Sequence, residues 1–301
     1  MVGRHAERFK QEYPFASHRA KINDLDYHYI DEGHGPAVIM VHGNPSWSFY
    51  YRNLVKRLRG DHRCIVPDHI GCGFSARPDL DSYNFTLQSR VDDFAAFIDG
   101  LNIEGKISIV AHDWGGMIAT AWAVDNAERI DKLVMLNTAA FHLPENKRFP
   151  FALGLIRDSF IGKFLVQRFN AFSIGASWLG CKMAPMSSEL RQLFQLPYSN
   201  SELDRLATLQ FVLDIPLREQ DASYALVSAT QAKLQQLADK PLLLGWGLKD
   251  FVFDKHFLAV WQQHFPSAQS VVYEHGGHYI LEDAGADLEH KIAAFLAENS
   301  A

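Results

Sequence analysis

Ten residues constrain the fold of this chain more than any others: Ile107-Ser-Ile-Val-Ala-His-Asp113-Trp114-Gly115-Gly116, an apolar run that breaks at a sharp turn into a helix-like segment. Read as a nucleophile elbow, the run is a buried strand with the nucleophile at its carboxyl end. The glycine two residues later lets the chain turn tightly enough to expose that side chain. The usual pattern is G-x-S-x-G; here Ala111 takes the first small position and Asp113 stands where serine is usual. A carboxylate is ionised at neutral pH and needs no base, so it can displace a leaving group directly and form an ester. The histidine of such a site is then free for a later step.

Short apolar segments alternate with helical patterns on either side of this run, which predicts an α/β fold: a mostly parallel sheet with helices on both faces. The expected strands are Tyr27 to Asp31, Ala37 to Val41, Cys64 to Pro67, Ile107 to Ala111, Leu133 to Leu136, Leu242 to Gly245 and Ser270 to Tyr273. Between Thr138 and about Asp239 the alternation stops. A hundred residues of helix and loop rich in Phe, Leu and Trp are too many for a connection, so residues 139–239 are expected to form a helical cap on a core made of 1–138 and 240–301. Of its aromatic residues, Phe149, Phe151, Phe160, Phe164, Phe169, Phe172, Trp178 and Phe194, most are expected to pack inside and some to line a pocket for hydrocarbon chains.

Composition narrows the partners. A net charge of −6 with no basic run gives no reason to expect nucleic acid, so a small hydrophobic molecule is the expected substrate. Met1 to Phe15 is charged and lacks the apolar core of a secretory signal, and no apolar stretch reaches about 18 residues. A cytoplasmic chain without a membrane span is expected, with Cys64, Cys72 and Cys181 as free thiols.

Three motifs complete a catalytic set. Val41-His42-Gly43-Asn44-Pro45 follows a strand where an H-G turn contributes to an oxyanion hole, and the Asn44 amide with the Trp114 indole N–H would give two side-chain donors for a departing anion. Leu244-Gly245-Trp246-Gly247-Leu248-Lys249-Asp250 sets an acid after a strand, where Asp250 would orient an imidazole; Asp254 fits a helix cap better. Glu274-His275-Gly276-Gly277-His278 offers two histidines, of which His278, at the head of the final helix, is the better base. No metal or organic cofactor is required, because the nucleophile, donors and base are all protein groups.

His42-Gly43-Asn44-Pro45, Asp68-His69-Ile70-Gly71-Cys72-Gly73-Phe74-Ser75 and His112-Asp113-Trp114-Gly115-Gly116 resemble the haloalkane dehalogenase group of α/β hydrolases across nearly the whole core. The resemblance implies an α/β-hydrolase fold, Asp113 as nucleophile, Asn44 and Trp114 holding the leaving group, His278 as base and Asp250 as its acid. Asn137 occupies the place where one branch of that family carries the acid instead. Further stretches, among them Ser46-Trp47-Ser48-Phe49-Tyr50-Tyr51-Arg52-Asn53-Leu54, Phe169-Asn170-Ala171-Phe172 and Gly175-Ala176-Ser177-Trp178-Leu179-Gly180, resemble the β-lactone decarboxylases of bacterial long-chain olefin biosynthesis. That resemblance implies conversion of a cis-3,4-dialkyl-β-lactone to a cis-alkene and CO₂, and assembly with other enzymes of olefin biosynthesis. Attack by Asp113 at the ring carbon and attack at the lactone carbonyl both remain open. Haloalkane dehalogenation is the runner-up. Epoxide hydrolysis, with Tyr198 or Tyr224 as the ring's proton donor, ranks third, and a receptor without catalysis last.

Overall fold

A computed structural model describes residues 4–298. Eight strands form one sheet: β1 (His18–Ile22), β2 (Leu25–Glu32), β3 (Ala37–Val41), β4 (Arg63–Pro67), β5 (Ile107–Asp113), β6 (Ile130–Thr138), β7 (Leu242–Gly247) and β8 (Gln269–Tyr273), in the order β1-β2-β4-β3-β5-β6-β7-β8. The pairs β1–β2 and β2–β4 are antiparallel and the rest are parallel. All seven expected strands are present. The missed one, β1, reads His-Arg-Ala-Lys-Ile and buries only Ile22, so an edge strand that faces water left no apolar pattern to read. It joins β2 through Asn23 and Asp24, both at positive φ (49° and 63°), the hairpin geometry that short polar side chains tolerate.

The continuous apolar runs follow from burial on both faces. In β3, Ala37, Ile39 and Val41 enter one core while Val38 and Met40 enter the other, and in β7 Leu242 and Leu244 oppose Leu243. Each Val, Leu, Ile or Met among them contributes about 1.5–3 kcal/mol through removal from water, and a one-residue slip would exchange the two cores.

Between β6 and β7 lie helices Phe151–Asp158, Phe160–Phe169, Ala171–Leu179, Ser188–Gln195, Glu202–Leu213 and Tyr224–Lys233. Local chemistry punctuates them. Ser159 caps the second by accepting from the Gly162 N–H, Asn170 sits at φ 53° between the second and third, and Ser201 with Asp204 forms a capping box on the fifth; loss of one such cap costs about 1 kcal/mol. The aromatic residues depart from expectation. Phe194 is buried against Phe49 and Tyr279, and Phe149 and Phe172 line a cavity, but Phe151, Phe160, Phe164, Phe169 and Trp178 are exposed. Their helices spend the inward face on Leu153, Gly162, Val166, Ser173 and Ser177, which leaves these five rings facing out.

The three cysteines are buried and free. Among the described residues, no helix is long and apolar enough to cross a membrane.

Candidate active site

Asp113 ends β5 at φ 52°, ψ −128°, a left-handed conformation costly for a residue with a Cβ. Close backbone approach holds it there. A Cβ on Gly115 would come within 2.0 Å of the Val41 carbonyl oxygen, and one on Gly43 within 2.2 Å of Asp113 Oδ1, so both positions require glycine. The gap left by Gly43 lets the Asn44 backbone N–H donate to Asp113 Oδ1 at 2.6 Å, and the Trp114 N–H also bonds this carboxylate. Thr138 Oγ1, from the neighbouring strand, donates to the Asp113 carbonyl.

The loops after β7 and β8 bring the second half. His278 Nδ1 lies 2.8 Å from Asp250 Oδ2, so that nitrogen carries its proton and Nε2 is directed to Asp113 Oδ2 at 3.8 Å, longer than a hydrogen bond. Asp250 is fixed in turn by the Val252 N–H at 2.8 Å, and the His278 carbonyl accepts from His112 Nε2 at 2.8 Å. His275 is exposed and outside the cluster. Asp254 caps helix Lys255–His264 and pairs with Lys147 at 2.7 Å. Asn137, at the alternative acid position, accepts from the Gly247 N–H and donates to the Gly247 and Phe253 carbonyls, fastening the turn that bears Asp250.

Asp113, His278, Asn44 and Trp114 face a cavity of about 340 Å³ whose other walls are mostly apolar: Met117, Phe141, Phe149, Phe172, Val212 and Phe253 among them. Residues 36–285 of the chain match the model of the alpha/beta hydrolase fold. The chain belongs to that family. This alpha/beta hydrolase is 51% identical over 285 residues, 95% of its length and 89% of the relative's, to a cis-3-alkyl-4-alkyloxetan-2-one decarboxylase of Shewanella oneidensis. It is 41% identical to a protein of the same name from Xanthomonas campestris pv. campestris, covering 95% and 98% of the two chains. Among solved structures it resembles the haloalkane dehalogenase DbeA of Bradyrhizobium elkani, with a TM-score of 0.82, 24% identity and 94% and 98% coverage, a likeness of fold.

Electrostatics raise both Asp113 and His278 of this alpha/beta hydrolase. Burial pushes Asp113 up to about 6, opposed by His278 and by the Asn44 and Trp114 N–H groups, so it is still mainly ionised at pH 7. Burial alone would lower His278; the charge and hydrogen bond of Asp250, with the charge of Asp113, outweigh it and raise the imidazole. Both carboxylates thus favour the charged form of the imidazole that faces Asp113.

Two placements differ from the sequence reading. One hydrogen of the Asn44 amide is already given to the Thr208 carbonyl at 3.0 Å, from the inserted helix Glu202–Leu213, so at most one remains for a leaving group. Neither tyrosine considered as a proton donor lines the cavity: the Tyr198 hydroxyl donates to the Ser46 carbonyl at 2.8 Å, and Tyr224 packs on His142. Sequence reasoning also missed Asp283, buried behind the histidine, which accepts the N–H groups of Gly277, Lys182, Met183 and Ala184 at 2.6–3.1 Å. Its only signal was an acid five residues past His278.

Proposed function

We propose that this alpha/beta hydrolase converts cis-3,4-dialkyl-β-lactones to cis-alkenes and CO₂, with residues 139–239 acting as a cap over the site. Two relatives named as cis-3-alkyl-4-alkyloxetan-2-one decarboxylases, aligned over 95% of the chain and hence through the inserted helices, carry the substrate class. The apolar cavity suits two alkyl chains around a small polar ring.

In this reading Asp113 Oδ2 attacks the ring carbon that bears oxygen. The carbon–oxygen ring bond breaks with inversion, and its electron pair stays on the freed carboxylate, which Asn44 and Trp114 receive. The carboxylate then stands anti to the new ester bond. As the bond to CO₂ breaks, its electron pair forms the alkene and expels Asp113. Inversion followed by anti elimination takes a cis lactone to a cis alkene, consumes no water and regenerates the carboxylate. His278, held by Asp250 and favoured in its charged form by both carboxylates, stabilises Asp113 as it leaves. Attack at this carbon rather than at the carbonyl is supported by the backbone donors: those that would stabilise a carbonyl oxyanion, Asn44 N–H and Trp114 N–H, bond the nucleophile's own carboxylate.

Ester formation also neutralises Asp113, which removes one of the charges keeping His278 protonated. A water reaching the ester would then meet a base, the route by which the same residues would release alcohol from a haloalkane. Haloalkane hydrolysis is therefore the second reading. Purified protein given a synthetic cis-3,4-dialkyl-β-lactone and, separately, a panel of 1-haloalkanes decides between them. Rapid alkene formation with little halide release is expected; halide and alcohol release with the lactone untouched would overturn the decarboxylase reading.

A further inference from the structure

The exposed aromatic residues of the inserted segment form a surface rather than a scatter. Of the large apolar side chains exposed among the described residues, eleven lie between Phe151 and Met183, including Phe151 at 85%, Phe160 at 81%, Ile161 at 65% and Trp178 at 61%. Helices Phe151–Asp158, Phe160–Phe169 and Ala171–Leu179 pack successively against one another, and the rings of Phe160, Phe164 and Phe169 form a continuous row with centroids 6.3 and 5.8 Å apart. A soluble monomer rarely leaves so much contiguous apolar surface in water.

The surface is continuous with the cavity. Leu155, Leu165 and Leu179 line the cavity and are also exposed, at 42%, 38% and 55%, so the chamber above Asp113 opens among these helices. The charge of this region is also opposite to that of the molecule. Residues 145–183 hold six basic residues (Lys147, Arg148, Arg157, Lys163, Arg168, Lys182) and two acidic ones (Glu145, Asp158), a net +4 in a chain whose total is −6. Lys147, Arg157 and Arg168 are paired to carboxylates, whereas Arg148, Lys163 and Lys182 have no ion pair among the described residues.

We infer that this face docks on an anionic lipid surface, with the three helices lying in its plane, the Phe, Ile and Trp side chains entering the acyl boundary and the free cations meeting headgroups. A second copy fits less well, because a symmetric contact would set the unpaired Arg148, Lys163 and Lys182 of one copy against the same cations of the other. A protein partner fits less well than lipid, because one seated here would close the mouth of the cavity, whereas a lipid phase would deliver an apolar substrate through it. Docking would let a water-insoluble substrate pass from the lipid phase past Leu155, Leu165 and Leu179 without crossing water.

The experiment is co-sedimentation of the full chain with vesicles of phosphatidylcholine alone or with about a third phosphatidylglycerol, a fraction at which basic segments respond to surface charge. Binding is read without turnover, so its result does not depend on which substrate the site takes. The expected result is at least about tenfold stronger binding to the anionic vesicles, weakened by raised salt. The paired change Phe160→Ser/Ile161→Ser, at exposed positions outside the cavity lining, is expected to reduce binding at least about tenfold while turnover of a short-chain soluble substrate is unchanged. Lys163→Glu/Lys182→Glu is expected to abolish the preference for anionic vesicles. Protein that stays in the supernatant with both vesicle types overturns the inference, as does anionic binding that both variants retain in full. Self-association abolished by Phe160→Ser/Ile161→Ser, without vesicle binding, would assign the face to a second copy instead.

Discussion

The buried carboxyl of Asp113 is a cost to the fold. Burial raises its pKa to about 6, against about 3.9 for a free aspartate, so the native carboxyl binds its proton more tightly than the unfolded one. Stability is therefore lost as pH rises from about 4 to about 6 and stays reduced above that. Asp113→Asn keeps an acceptor for the Asn44 N–H but has no charge to bury; at pH 7.5 it is expected to stabilise the protein by about 1–3 kcal/mol, with the gain vanishing near pH 4, as read by denaturant melts. The same shift sets activity. Turnover of a lactone is expected to fall about tenfold per pH unit below about 6, as the nucleophile takes up its proton. A rate flat down to pH 4 would mean that some other group reacts. In the proposed mechanism His278→Ala removes the group that assists expulsion of Asp113 and would clear the ester. On mixing with lactone, this variant is expected to gain the full mass of one lactone on the peptide containing Asp113, because ring-opening addition loses no atom.

Among the elements, the loop carrying His278 and the end of the inserted helix Ala171–Leu179 are tied through one carboxylate. Asp283 accepts N–H groups from both sides, and the Tyr279 N–H donates to the Gly180 carbonyl at 3.0 Å. Asp283→Ala would leave the buried Gly277 N–H and three part-buried N–H groups short of an acceptor, and a loss of about 1–3 kcal/mol in a denaturant melt is expected, together with a kcat reduced more than KM is raised. What the sequence made legible follows the same division. The grouping of Asp113, Asp250 and His278 was readable because each ends or closely follows a strand-length segment, and a parallel sheet brings such ends to one edge. Asn44 was readable as a donor, but not its bond to Thr208, since 164 residues separate the two. β1 was hidden because a water-facing edge strand carries no apolar alternation. The outward turn of Phe160 and Trp178 was unreadable because apolar content says nothing about which face a neighbouring helix will take.

On the scale of the molecule, an acidic alpha/beta hydrolase sets a pinned carboxylate at the bottom of an apolar chamber and opens that chamber through its basic, aromatic face. The sheet brings Asp113, Asp250 and His278 together from the ends of three separate strands, and in the proposed mechanism the apolar walls would keep water from the ester. The claim on which this account stands is that Asp113 itself opens the lactone. Wild-type protein and Asp113→Ala, matched for circular dichroism, should be given the same synthetic cis-3,4-dialkyl-β-lactone and the cis-alkene followed by gas chromatography. The account predicts that the variant loses at least about 10³-fold in rate, as expected when a covalent nucleophile is removed, while wild type yields one alkene per lactone. Alkene formation by Asp113→Ala at the wild-type rate would contradict it.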